Sequence, residues 1–392
     1  MTIEFELWWL LGIPLFFALG WLAARVDIRH VMRESRTLPR SYFKGLNFLL
    51  NEQPDKAIDA FLEAAKVDSE TIELHFALGN LFRRRGETDR AIRMHQNLAE
   101  REGLQEEPRL QALAELGHDY LKAGLLDRAE DIFTGLRGTK QNETALNFLL
   151  EIYQQEKEWR QAIDIARQLP DPAGHRQKEI ANFYCELAAA EINNSRPEEA
   201  RRLLEEALAM HRKSVRATIL LGDIEAGGGD LMAAIDIWKR IEQQNPVYLA
   251  LVAGKLMDAY RKIDRSREGL QLVRGYLAAH PSLDLLDVAF QWALEDENPE
   301  AAIRLVRDEV RRNPTLLGLD KLLEAEMLMV SPQRRADLEL VKNLIHNHTR
   351  QVARYRCDSC GFKARQFYWR CPGCGAWESY PPRRTEEFDL TP

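Results

Sequence analysis

The sequence predicts an all-α solenoid of stacked helix pairs, preceded by an apolar segment and closed by a small four-cysteine module. Three observations predict it. Small residues recur at a period near 34 residues from Ala57 to Ala302, Leu7 to Ala24 is eighteen residues without a charge, and two Cys-x-x-Cys pairs lie between Cys357 and Cys374. Each part follows in chain order.

As a helix, Leu7 to Ala24 would be about 27 Å long, close to the ~30 Å hydrocarbon thickness of a bilayer. Trp8, Trp9 and Trp21 fall near its two ends, where indoles favour the interface, and Pro14 is tolerated in spanning helices. A cleaved signal peptide would need a basic start, whereas this one carries Glu4 and Glu6 and no lysine or arginine before Arg25. Residues 1–24 are therefore expected to form a transmembrane anchor. Residues 25–40 are expected to continue as a basic juxtamembrane helix, with Arg25, Arg29, Arg33, Arg36 and Arg40 at three- or four-residue spacing. Arginine in excess on that flank places it in the cytoplasm and the N-terminus outside, and anionic lipid is a sufficient partner for it.

Residues 41–348 repeat one pattern. Gly45, Phe48, Ala57, Phe61 and Ala64 form one copy, Gly79, Phe82, Ala91 and Leu98 the next, and Gly117, Tyr120, Ala129, Phe133 and Leu136 a third. The small position recurs at Ala162, Ala200, Ala234, Gly269 and Ala302, while Leu150, Ala188, Met257 and Phe290 replace the glycine in four copies. Small residues belong where paired helices cross, because a larger side chain would push the axes apart. Pro246, Pro281 and Pro314 stand where second helices should stop. The stretch Leu316–His348, broken at Ser331-Pro332, reads as a closing helical pair that caps the array. The pattern resembles the tetratricopeptide family, with about eight to nine helix pairs. That resemblance implies a concave surface for protein segments and no chemistry of its own.

Charge sharpens this. The chain carries net −7, but Arg25–Lys44 is net +4 and Arg350–Arg384 net +6, which leaves the array acidic. An acidic array argues against nucleic acid as a partner, since phosphate binding needs a basic face. No H-E-x-x-H or G-x-S-x-G occurs and no paired catalytic carboxylates stand out, so no enzyme is expected. Cys185, in an apolar segment, reads as a buried structural thiol, and Gly227–Gly229 as a turn between paired helices. His75, His95 and His118 read as packing residues within the array.

The C-terminal module, residues 349–382, carries Cys357, Cys360, Cys371 and Cys374 in two knuckles, each followed by glycine. Two such pairs make a closed tetrahedral S₄ site for one iron or zinc ion, and the donor set does not choose between the two metals. Clustered Cys-x-x-Cys pairs also indicate a reducing compartment. Tyr355, Phe362, Phe367, Tyr368, Trp369, Trp377 and Tyr380 are expected to pack around the metal, and Arg356, Lys363, Arg365 and Arg370 to offset the thiolate charge. His346 and His348 precede the module and read as helix-end residues rather than ligands. The module resembles rubredoxin-type knuckles with a shorter spacer, which weakens an electron-transfer reading. The polar tail, residues 383–392, is expected to be disordered.

Anchor, basic flank, tetratricopeptide array and rubredoxin-like module, in that order, resemble the lipopolysaccharide assembly protein B family of Gram-negative bacteria. The resemblance implies a bacterial inner-membrane, single-pass protein with a periplasmic N-terminus and a cytoplasmic bulk. It implies an adaptor that regulates lipopolysaccharide (lipid A) synthesis, promoting degradation of the committing lipid A deacetylase by a membrane-bound ATP-dependent metalloprotease. Other lipopolysaccharide-synthesis and envelope proteins, and a homodimer, are further expected partners. Two alternatives remain open: an assembly scaffold without effect on turnover, and an iron redox protein.

Overall fold

A computed structural model describes residues 40–51, 53–67, 72–171, 174–352 and 354–385. The anchor, most of the basic flank and the end of the tail lie outside the described residues. Among the described residues, no helix is long and apolar enough to cross a membrane.

The chain divides into two compact units, one ending at Ile152 and one beginning at Tyr153. In the first, Arg40–Leu50 pairs with Pro54–Val67, Ile72–Arg84 with Thr88–Ala99, and Glu106–Lys122 with Leu126–Gly135, before the helix Asn142–Glu156. In the second, Trp159–Ala166 precedes five further pairs. They are His175–Asn193 with Pro197–Met210, Val215–Gly228 with Leu231–Lys239, Ala250–Lys262 with Ser266–Ala279, Leu283–Asp296 with Pro299–Arg312, and Leu316–Glu326 with Pro332–Val352.

The small positions do the work their spacing implied. Ala57, Ala91, Ala129, Ala162, Ala200, Ala234 and Ala302 are all fully buried. At Gly269, a Cβ would fall 2.8 Å from Tyr260 Cβ on the facing helix. The glycines serve a second closure. Each accepts a ring from the residue sixteen positions on: Gly45 takes Phe61, Gly79 takes His95, Gly117 takes Phe133 and Gly222 takes Trp238. Where the glycine is missing in the second unit, the same register holds buried apolar pairs without a glycine, Ala188 with Leu204, Met257 with Val273 and Phe290 with Val306. A large residue on one helix is thus met by a smaller one on the other, which keeps the pair close-packed.

The turns obey a matching rule. Five residues before the small position, Gly86, Gly124 and Gly229 adopt positive φ, and so do Lys157, Ser195 and Asp264. Of the three glycines read as a turn, Gly227 and Gly228 close the helix and only Gly229 is left-handed, at φ 91°. The helix propagates through the first two because its apolar side stays packed, overriding their low propensity. Downstream starts are capped by side chains: Asp230 accepts from the Ala233 amide at 2.9 Å, Asn298 from Ala301 at 2.8 Å and Thr315 from Gly318 at 3.0 Å. Pro246, Pro281 and Pro314 each follow the end of a second helix.

One buried polar group interrupts the apolar core of the first unit. His95 fills the ring slot opposite Gly79, and its Nδ1 lies 2.5 Å from Asp119 Oδ2. Arg83 donates to Asp119 Oδ1 at 2.8 Å and pairs with Glu115, so the buried carboxylate is satisfied from two sides. His118 packs on Phe148 with ring centroids 4.8 Å apart. Cys185 is fully buried, and burial pushes its thiol up to about 12, so it is inert.

Candidate metal centre

The module begins where the last helix ends. Strand β1 (Arg354–Arg356) pairs antiparallel with β2 (Lys363–Ala364) and with β3 (Arg384–Thr385), in the order β2-β1-β3. Arg384 and Thr385, in the polar stretch after Pro382, thus form part of its sheet.

Each knuckle is a tight turn closed by backbone. The Gly361 amide donates to Cys357 O, and the Gly375 amide to Cys371 O, both at 2.9 Å. Both glycines adopt left-handed φ, 75° and 73°, which a side chain would strain. The four sulfurs of Cys357, Cys360, Cys371 and Cys374 lie within 4.8 Å of one another. Cys357 Sγ is 3.8 Å from Cys374 Sγ, and Cys360 Sγ is 3.7 Å from Cys371 Sγ. A tetrahedral ion with sulfur ligands at about 2.3 Å requires sulfurs about 3.8 Å apart, so the four thiols fit an iron or zinc ion.

Electrostatics agree with that fit. Burial raises the Cys357 thiol, yet Ser379 Oγ and the amides of Cys360 and Ser359 outweigh it and bring it down to about 6. At Cys374 the Ala376 amide lowers the thiol, but burial and the neighbouring sulfurs drive it up to about 12. Four thiolates cannot ionise together without a cation between them.

The aromatics divide between two tasks, which corrects the expectation that all pack around the metal. Tyr355, Tyr368 and Tyr380 lie with Cys357 and Cys371, and the Tyr380 hydroxyl donates to Tyr355 O at 2.9 Å. Trp377 instead enters the array, edge-on to Trp159 at 6.1 Å and to Phe183 at 6.0 Å. Trp369 stacks on Tyr248 with planes 2° apart and centroids at 5.4 Å, and Phe367 meets the same tyrosine edge-on. Trp369 and Trp377 follow the chain where it turns towards the helices, and Phe367 lies between the two, edge-on to Tyr248 and also beside the sulfur cluster against Tyr355. The Arg216 guanidinium lies over both Trp369 and Trp377. Phe362 is half-exposed beside Gly373.

Polar contacts fix the module's orientation. Glu378 accepts from Asn182 Nδ2 at 3.0 Å and pairs with Lys178 at 3.3 Å. Asp284 accepts from the Tyr355 hydroxyl at 3.3 Å and pairs with Arg384 at 2.9 Å. Burial raises the Asp284 carboxyl, and the Arg384 charge opposes it. Arg370 donates to Gly375 O at 3.2 Å and to Gln154 O at 3.3 Å. Arg356, Lys363 and Arg365 are exposed. His346 Nδ1 lies 3.0 Å from Asp320 Oδ2, apart from the sulfur cluster, and the His348 side chain lies outside the described residues. The array residues that receive the module (Lys178, Asn182, Arg216, Tyr248 and Asp284) carry no motif, and the sequence did not single them out.

A cleft of about 730 Å³ opens beside the docked module, with Arg356, Arg383 and Arg384 on one side and Leu283, Leu286 and Val310 on the other. Four sulfurs so placed can hold an ion that ties the two knuckles together beside this cleft.

The module matches the family described as rubredoxin metal binding domain over residues 355–381. Residues 185–248 and 74–108 match two families described as tetratricopeptide repeat. The chain is similar to lipopolysaccharide assembly protein B of Escherichia coli K12, with 36% identity over 376 residues that cover 95% of this chain and 97% of that protein. It is similar also to lipopolysaccharide assembly protein B of Haemophilus influenzae, with 30% identity over 391 residues, 96% of this chain and 98% of that protein.

Proposed function

The chain belongs to the lipopolysaccharide assembly protein B family, and from that premise we propose that it is a non-catalytic adaptor in the regulation of lipopolysaccharide synthesis. In this reading it is held at the cytoplasmic face of the bacterial inner membrane by Leu7–Ala24. It presents the committing lipid A deacetylase to an ATP-dependent protease of the same membrane. The observation that carries the reading is the docking of the metal module onto a tetratricopeptide array. The four sulfurs supply a full tetrahedral donor set, and the side chains around them offer rings and ion pairs to the array. Such a scaffold can act by holding a client at high local concentration near a membrane enzyme. An ion held by Cys357, Cys360, Cys371 and Cys374 would keep the knuckles in the shape that aims Trp377 and Glu378 at the helices.

The test is the half-life of the deacetylase after new protein synthesis is blocked, in cells with and without this protein. Marked prolongation without it supports the adaptor reading. An unchanged half-life removes the proteolytic mechanism and leaves an assembly scaffold. A reversible iron couple whose locking abolishes function would replace both with a redox protein.

A further inference from the structure

The first described helix carries two apolar faces. Its inner face, with Gly45 and Leu49, packs on Pro54–Val67, where Gly45 meets the Phe61 ring. Its outer face exposes Phe43 (58%), Leu46 (37%) and Leu50 (81%). At three- and four-residue spacing these form one stripe. Inside a solenoid the preceding repeat would cover that face; among the described residues none precedes this helix to do so.

Charge and connectivity identify the cover. Lys44 is exposed on the same helix, its ammonium over the Phe48 ring, and no acidic residue occurs between Glu34 and Glu52. Two copies meeting on this face would bring basic flanks together with nothing to neutralise them, whereas acidic lipid supplies the missing charge. Residues 25–39 separate the uncharged Leu7–Ala24 stretch from Arg40. A linker of that length spans at most about 55 Å extended and about 24 Å as a helix, so the stripe is within reach of the bilayer in either state.

We propose that the Arg40–Leu50 helix lies on the membrane surface. Phe43, Leu46 and Leu50 enter the boundary between headgroups and acyl chains, and no carboxylate on Arg40–Leu50 opposes the acidic headgroups. The first repeat is then a second membrane contact, which fixes the array against the bilayer rather than leaving it on a swivel. This rests on Leu7–Ala24 being an anchor, and the experiment separates the two.

The full chain is reconstituted in vesicles of phosphatidylethanolamine and phosphatidylglycerol containing a phospholipid with an acyl-chain diazirine, and photo-adducts are mapped by mass spectrometry. Adducts are expected both on Leu7–Ala24 and on Phe43–Leu50. In Leu46→Gln/Leu50→Gln those on Phe43–Leu50 should fall about tenfold, while those on Leu7–Ala24 stay. Leu46→Met/Leu50→Met should retain both sets. Both side chains are exposed, so neither variant threatens folding. Adducts confined to Leu7–Ala24 overturn the proposal and leave the anchor standing. Absence of adducts everywhere removes the anchor and the proposal together, and photo-crosslinks between chains through Leu46 or Leu50 overturn it in favour of a second copy.

Discussion

Trp377 of the metal module stands edge-on to Phe183 of the array, ring centroids 6.0 Å apart and planes at 77°. The two residues belong to different folds within one unit, and their contact joins a metal site to a helix surface. Removing it should release the module without emptying it. Trp377→Ala should cost about 3 kcal/mol at the interface. Hydrogen exchange around Phe183 should rise, with metal content per chain unchanged; loss of metal would show that docking and metal binding are one event.

Cys371→Ser with Cys374→Ser should remove the ion and unfold the module, since its short strands have little core apart from the sulfur cluster. Elemental analysis should find no metal, and the deacetylase half-life should lengthen as far as in a deletion. Full function in that variant would mean that the metal has no structural part in the activity.

Gly222 accepts the Trp238 ring so closely that a Cβ would collide with the indole nitrogen. Gly222→Ala should destabilise by about 1–3 kcal/mol. Trp238→Leu should also destabilise, by leaving a gap and removing the bond from Trp238 Nε1 to Ile219 O. Together they recreate the Ala188–Leu204 pair found one repeat earlier, so the double variant should lose less than the sum, with a coupling of about 1–2 kcal/mol in chemical unfolding.

His118 has its pKa lowered from 6.5 to about 4, first by burial and then by the charge of Arg83. The folded state keeps the ring neutral, so the unfolded state binds more protons between these values, and stability falls as pH drops from 6.5 towards 4. After allowance for solvent around a half-buried ring, the loss is about 1–2 kcal/mol. Melting temperatures at pH 7 and pH 5 should show it, and His118→Gln should flatten the difference.

The repeat period and the cysteine spacing were legible because both are local patterns that survive substitution elsewhere. Ala57 to Ala302 marked the crossings whatever the turns contained. The glycine-to-ring register was half legible: the glycines were visible, but Phe61, His95 and Trp238 share no side-chain class beyond a flat ring. Leu204, Val273 and Val306 look like ordinary core residues until a pair is seen together. The module's docking was not legible. Asn182 meets Glu378 across 196 residues and Arg370 meets Gln154 across 216. No periodicity connects such positions, and one surface lysine or aspartate reads like any other before the fold brings it to its partner. The three tyrosines at the metal and the rings turned towards Tyr248 and Phe183 are likewise alike in sequence and differ only in direction.

The glycine–ring slots and the apolar pairs that replace them have a consequence for how the chain assembles. Nearly alike helices in one chain invite exchange, because a first helix can meet the second helix of the wrong repeat. Here the repeats are keyed differently. Trp238 offered to Phe290 would collide, and Val306 offered to Gly222 would leave a hole. Each such mismatch is unfavourable at the same point on the helix, so differently keyed repeats are told apart by bulk, whereas Gly45–Phe61 and Gly117–Phe133 share one key. An array copied from one motif is thereby ordered by the places where its copies disagree.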